Sequence, residues 1–306
     1  MWNLRELGPK RRADLGEPQK TVDQILGERS RQASQHLVTP LGRLFTEKKW
    51  TEFKKIYQPQ TDFHEFAQMI RALYIQNQIS SFNSEDIDHL LKLTYDTLER
   101  ISVGNRNQAG LLITQFFRLP LPEKQSSTYQ QLESWLGLTS KEGTFLNRLA
   151  TIKLVTQDLH PSERAIHAFI SGYQTPLDNM NRTEWIRLTD DIRSSGTRER
   201  CLKELFKIYP QLHGMDQSQA LITLGHQPEL NPKSISKYAI QSLDSEEAGS
   251  FEAGLRTVAS LIQANLLNPD QKALIAKRLT HVPEKLKTPY VDAKIDDLLP
   301  RLTAHP

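Results

Sequence analysis

The chain has 306 residues, 38% of them hydrophobic and 25% charged, with 39 Lys and Arg against 36 Asp and Glu for a formal net charge of +3. That balance describes a globular protein with a polar surface and excludes a disordered polymer; a sequence pI of about 8.8 falls short of the basicity of a dedicated nucleic-acid binder. A single cysteine, Cys201, excludes an internal disulfide framework and a cysteine zinc cluster, and no apolar run approaches the roughly 18 residues of a membrane span.

Residues 1–35 are polar and charged, with Lys10-Arg11-Arg12 early and only Val22, Ile25 and Leu26 at helical spacing. They read as a flexible polar arm carrying one short helix. No continuous apolar run marks a signal peptide at Met1-Trp2-Asn3-Leu4, so the expected setting is cytoplasmic, in the protein's own cell or in a host cytosol for an injected effector.

From His36 onward helix-start signals come in rhythm. Asp62-x-x-Glu65 opens a helix with Phe63, Phe66, Met69, Ile70 and Leu73 on its apolar side, and Ser84 caps the next, over Ile87, Leu90, Leu91 and Leu98. Gly104-Asn105 punctuates. Leu111 to Phe117 keeps a 3.6-residue pattern, which favours a helix over a buried strand. Leu119-Pro120-Leu121-Pro122 and the polar stretch after it break the pattern, placing a hinge at 119–127.

Ser127-x-x-Gln130, Thr139-x-x-Glu142, His160-Pro161, Asn181-x-x-Glu184, Gly196-Thr197 and Asp216-x-x-Gln219 start further helices. Asn231-Pro232, Asn268-Pro269 and Thr288-Pro289 each set a capping side chain before a proline at the first helical position. The starts fall mostly 16 to 22 residues apart, so a helix pair takes about 32 to 43, close to the roughly 34–47 of helical solenoids. The side chains do not repeat in step. The expected fold is therefore all-α over residues 36–306: an irregular α-solenoid, a HEAT- or TPR-like array of antiparallel helix hairpins, with a compact multi-helix domain as the alternative.

No motif in the sequence carries a recognisable reaction or metal site. His64-Glu65-Phe66-Ala67-Gln68 lacks the second histidine of a zinc-protease helix. His160, Glu163 and His167 share a helical side without a fourth ligand, and Glu85, Asp86, Asp88 and His89 lack the glycine and oxygen spacing of a calcium loop. Cys201 lies among Arg198, Arg200 and Lys203, but its helical phase buries it beside Leu205 and Ile208. No catalytic residue, metal ligand or cofactor is assigned.

Basic surface is what remains. Lys48, Lys49, Lys54 and Lys55 surround Trp50, Phe53 and Tyr57, whose core spacing marks them as packing side chains. Arg200, Lys203 and Lys207 line one face at i, i+3, i+7, and Lys277 and Arg278 crowd the C-terminal helices. Candidate binding residues are Lys48, Lys49, Lys55, Arg200, Lys203, Lys207, Lys277 and Arg278. Helical arrays use their long grooves to hold other proteins. The expectation is thus a non-enzymatic protein-interaction module, an adaptor, regulator or secreted effector, with no membrane insertion. The alternatives are an RNA- or DNA-binding helical-repeat protein, whose binding falls steeply with salt, and an enzyme with a site assembled from distant helices.

Overall fold

A computed structural model describes residues 28, 31–32, 34–101, 109–136, 141–174 and 181–304, with the backbone alone for 141–144. Among the described residues the protein is all-α, with fifteen α-helices, short 3₁₀ turns between them and no strand. In chain order they are α1 (Pro40–Thr46), α2 (Trp50–Ile56), α3 (Pro59–Ile75), α4 (Ser84–Arg100), α5 (Gly110–Arg118), α6 (Ser127–Trp135), α7 (Lys141–Gln157) and α8 (Glu163–Gln174). Then follow α9 (Arg182–Arg187), α10 (Ser195–Ile208), α11 (Gly214–Gly225), α12 (Pro232–Ser242), α13 (Ala248–Gln263), α14 (Pro269–Leu279) and α15 (Pro289–Thr303). Most of the expected 1–35 arm, the Gly104-Asn105 stop and the Thr139-x-x-Glu142 start lie outside the described residues; Glu28, Arg31, Gln32, Ser34 and Gln35 are helical.

Proline with a capping side chain before it starts α1, α12, α14 and α15. The Asn231 side chain accepts from Ser234 N–H, Thr288 from Val291 N–H, and Asn268 forms a reciprocal capping box with Gln271. Thr39 does the same ahead of Pro40. Other starts differ from their sequence expectation by a few residues. The α3 helix begins at Pro59, before Asp62; Asp62 accepts the Gln58 N–H at 2.8 Å, while Glu65 turns away to accept the Thr39 hydroxyl at 2.7 Å. Asn83, not Ser84, caps α4, because its side chain reaches the Asp86 N–H while Asp86 reaches back. Ser162 rather than Pro161 holds the start of α8, accepting from Ala165 N–H at 3.2 Å, and Ser194 caps α10.

The chain divides into two compact units, Met1–Thr128 and Tyr129–Pro306. The first is built around an aromatic cluster. Phe45, Phe53 and Phe66 are fully buried, and Trp50 and Tyr57 close the cluster with ring centroids 5.2 to 5.9 Å from their neighbours. The α3 helix packs on α4 and α5. Asp86, buried at the start of α4, accepts from Lys48 Nζ at 2.6 Å and Trp50 Nε1 at 3.1 Å. Burial opposes its ionisation, but these donors and the Asn83 N–H outweigh it and hold the carboxyl below its ordinary value.

In the second unit consecutive helices pair, and alternate helices also stack: α8 on α10, α9 on α11, α11 on α13, and α13 on α15. This is the connectivity of stacked helix hairpins. Hydrogen bonds between neighbouring hairpins repeat at a nearly constant sequence offset. Thr183 donates to Asp216 (offset 33), Gln271 to Ser236 (35), the buried Thr257 hydroxyl to the Leu221 carbonyl (36) and Arg278 to the Ile240 carbonyl (38). The offsets match the helix-pair length read from the start signals. Gly172 lies against Trp185, whose Nε1 donates to the Phe169 carbonyl at 2.8 Å.

Candidate binding groove

The α10 helix has two faces because its sequence, Ser-Gly-Thr-Arg-Glu-Arg-Cys-Leu-Lys-Glu-Leu-Phe-Lys-Ile, puts its apolar side chains on one arc. Cys201, Leu202 and Leu205 are buried. At about 100° per residue, Arg200, Lys203 and Lys207 fall within roughly 60° of one another on the other face, and Glu199 and Glu204 flank them. The next hairpin brings up the 3₁₀ turn Pro228–Leu230 and the start of α12.

Between these elements lies a half-open groove of about 500 Å³. Its floor is apolar, with Leu202, Leu224 and Ile235 buried and Phe206 and Leu230 half-buried. One wall carries Glu199, Arg200, Lys203, Glu204 and Lys207, and Gly196 and Asn231 also line the groove. Lys203 pairs with Glu199 at 2.6 Å and Lys207 with Glu204 at 2.7 Å, both along the helix, while Arg200 reaches Glu163 of α8 at 2.6 Å. That guanidinium holds the exposed Glu163 carboxyl below its ordinary value. The rim is one of mixed charge with its cations at the centre of the helical face.

Of the eight basic residues singled out from the sequence, the structure brings Arg200, Lys203 and Lys207 together here. Lys277 and Arg278 lie on α14 outside the groove, Arg278 bonded to Asp244 at 2.6 Å. Lys48, Lys49 and Lys55 belong to the first unit. Lys48 adopts a left-handed backbone (φ 56), bridges to Asp86 and stands 4.6 Å over the Phe82 ring, a position set by packing. Lys49 precedes α2 and pairs with Glu47 at 2.7 Å; Lys55 is exposed. Trp50, Phe53 and Tyr57 are buried in the core and present no face for base stacking.

The groove's far wall escaped the reading of basic stripes. Leu230, Asn231 and Ile235 stand one helix-pair step beyond Gly196 and Arg200, an offset that is the one sequence signal able to find them.

Other reactive side chains are committed to structure. Cys201 is fully buried, and burial pushes its thiol up to about 12 even though Arg200 acts in the opposite direction. Lys153 is fully buried on α7, where Gln157 Oε1 accepts from its amine at 3.1 Å; burial, with Arg193 nearby, pushes that amine well below its ordinary value. His226 Nδ1 lies 2.9 Å from Asp190, and that bond raises the imidazole's affinity for a proton. Among the described residues no three His, Cys, Asp or Glu side chains converge as metal ligands, and no helix is long and apolar enough to cross a membrane. Comparison with protein-family models, with curated protein sequences and with solved structures finds no match for this chain.

Proposed function

We propose that the protein is a non-enzymatic protein-interaction module, an adaptor, regulator or effector that acts by holding a partner protein in the groove between α10 and α12. The observation that carries this reading is the groove itself, with an apolar floor under a rim of both charge signs. Such a surface suits an apolar anchor with polar flanks, the anatomy of protein interfaces. A phosphate backbone asks instead for an uninterrupted positive track, whereas Glu199 and Glu204 interrupt the cations along this wall. The groove is half-open, and its two lining carboxylates, Glu199 and Glu204, are each paired with a lysine of the same helix rather than with each other, an arrangement that suits binding better than acid–base catalysis.

The test compares affinity recovery from native lysate by the wild-type chain and by Leu230→Asp, a change at the half-buried edge of the apolar floor, after circular dichroism confirms that both are folded. A reproducible set of proteins recovered by the wild type and lost with Leu230→Asp supports the reading. Recovery that ignores the groove, or recovery of RNA alone, overturns it.

A further inference from the structure

We infer that the occupant of the groove is an acidic peptide segment of the partner, one in which Asp or Glu residues are interleaved with large apolar side chains. This rests on the protein-binding reading of the same groove and adds the partner's chemistry.

The apolar half of the inference follows from the floor. Leu202, Leu224 and Ile235 form its base and Phe206 and Leu230 its edges. Phe206 packs against Tyr238, ring centroids 5.9 Å apart, which extends the apolar edge. An entering aliphatic or aromatic side chain exchanges water for these surfaces, the main favourable contribution at such a site.

The acidic half follows from where charge sits. Arg200, Lys203 and Lys207 form a row along the wall, about 10 Å long at 1.5 Å per residue, with Arg200 reaching back to Glu163 at its start. Both helices that frame the groove also present their N-terminal ends to it, through Gly196 of α10 and the cap residue Asn231 of α12. Neither first turn contains an acidic residue, and that of α12 contains Lys233. The positive ends of two helix dipoles therefore reinforce the row instead of being neutralised by carboxylates at their starts.

Glu199 and Glu204 flank the row and Glu163 stands beyond it, so the free protein neutralises its own cations through solvent-exposed pairs. Pairs of that kind are weak. A ligand carboxylate brought above the row by apolar anchoring exchanges for them at little cost, and is also favoured by the two helix N-termini. A basic segment would have to compete against the same row and against both helix N-termini. The acids on the rim then set register, because a ligand residue opposite Glu199 or Glu204 is excluded if it is itself acidic.

A random peptide library displayed on phage, panned on the full chain, tests both halves. Three variants accompany the wild type: Leu230→Asp for the floor, the triple reversal Arg200→Glu, Lys203→Glu, Lys207→Glu for the row, and Lys277→Glu as a control outside the groove. All are checked for native circular dichroism. The expected result is an enriched pool combining Asp or Glu with Leu, Ile or Phe. Its members should lose affinity about tenfold or more on the triple reversal, be lost with Leu230→Asp, and be unaffected by Lys277→Glu. Synthetic versions with Lys in place of the acids should regain binding to the triple-reversal chain. A pool that depends on Leu230 but shows no acidic bias, or survives the reversal, overturns the acidic occupant and leaves the groove as a protein site. A pool indifferent to Leu230, or no enrichment at all, overturns both.

Discussion

Replacing Gly172 by alanine is a one-methyl test of how the second unit packs. A Cβ built on Gly172 falls 2.3 Å from Trp185 Cε2, 2.4 Å from Nε1 and 2.7 Å from Cζ2. Ordinary carbon contacts begin near 3.5 Å, so the indole has to retreat by about 1 Å. It has nowhere free to go: Trp185 is 1% exposed, with the Phe169 ring 5.2 Å away and its Nε1 bonded to the Phe169 carbonyl. Overpacking costs about 1–3 kcal/mol, and a buried indole N–H pulled off its acceptor adds about 1–3 kcal/mol. Alanine's better helix propensity returns about 1 kcal/mol. The net expectation is a loss of about 3 kcal/mol. At about 2–4 °C per kcal/mol for a unit of this size, that lowers Tm by about 6–12 °C. Gly249→Ala is the control, since nothing lies within 4 Å of its added Cβ, and it should leave Tm unchanged or slightly raised. Calorimetry of both variants, with urea unfolding followed by tryptophan fluorescence, decides the matter. A Gly172→Ala chain as stable as the wild type would refute the packing of α8 against α9 described above.

Three further outcomes follow from individual side chains. Asp86→Ala strips the acceptor from the Trp50 indole and the carboxylate from the Asn83 capping box; urea unfolding should show a loss of about 2–3 kcal/mol, and Asp86→Asn, which keeps an acceptor for Trp50, a smaller one. A loss below about 0.5 kcal/mol for Asp86→Ala would contradict this role for the Asp86 carboxylate. The folded-state pKa of His226 is raised by Asp190. The pair's stabilisation is therefore fully present below the unfolded value of about 6.5 and lost as pH rises through the folded one. His226→Gln should flatten the pH dependence of the urea midpoint in that window, and an NMR titration giving His226 a value at or below 6.5 would sink this account. The single Cys201 thiol, buried and with its pKa raised to about 12, should resist a thiol reagent at pH 8 in the native protein and react at once in denaturant. Fast labelling of the folded chain would show that α10 does not bury that face.

The sequence alone settled the all-α class, because helix formation depends on neighbours three and four residues away and leaves its marks locally. Asn231-Pro232, Asn268-Pro269 and Thr288-Pro289 start helices where their side chains and the fixed φ of proline dictate. The length of a helix pair was also readable, and it reappears as the offset of the hydrogen bonds between hairpins. Which of two neighbouring polar residues caps a helix is a matter of three-dimensional reach. Asn83 rather than Ser84 caps α4 because its side chain reaches an N–H, and the His160-Pro161 start moves on to Ser162 for the same reason; a linear pattern carries no such distance.

What only the tertiary structure decided is which stripes face what. Lys48 and Arg200 look alike in the sequence, yet one is drawn onto Asp86 by the packing of the first unit while the other borders an open groove. Leu230 and Ile235 become that groove's far wall only when one hairpin stacks on the next. Local bonding selects a helix; long-range burial selects its neighbours, and a surface for a partner exists only after that second choice is made.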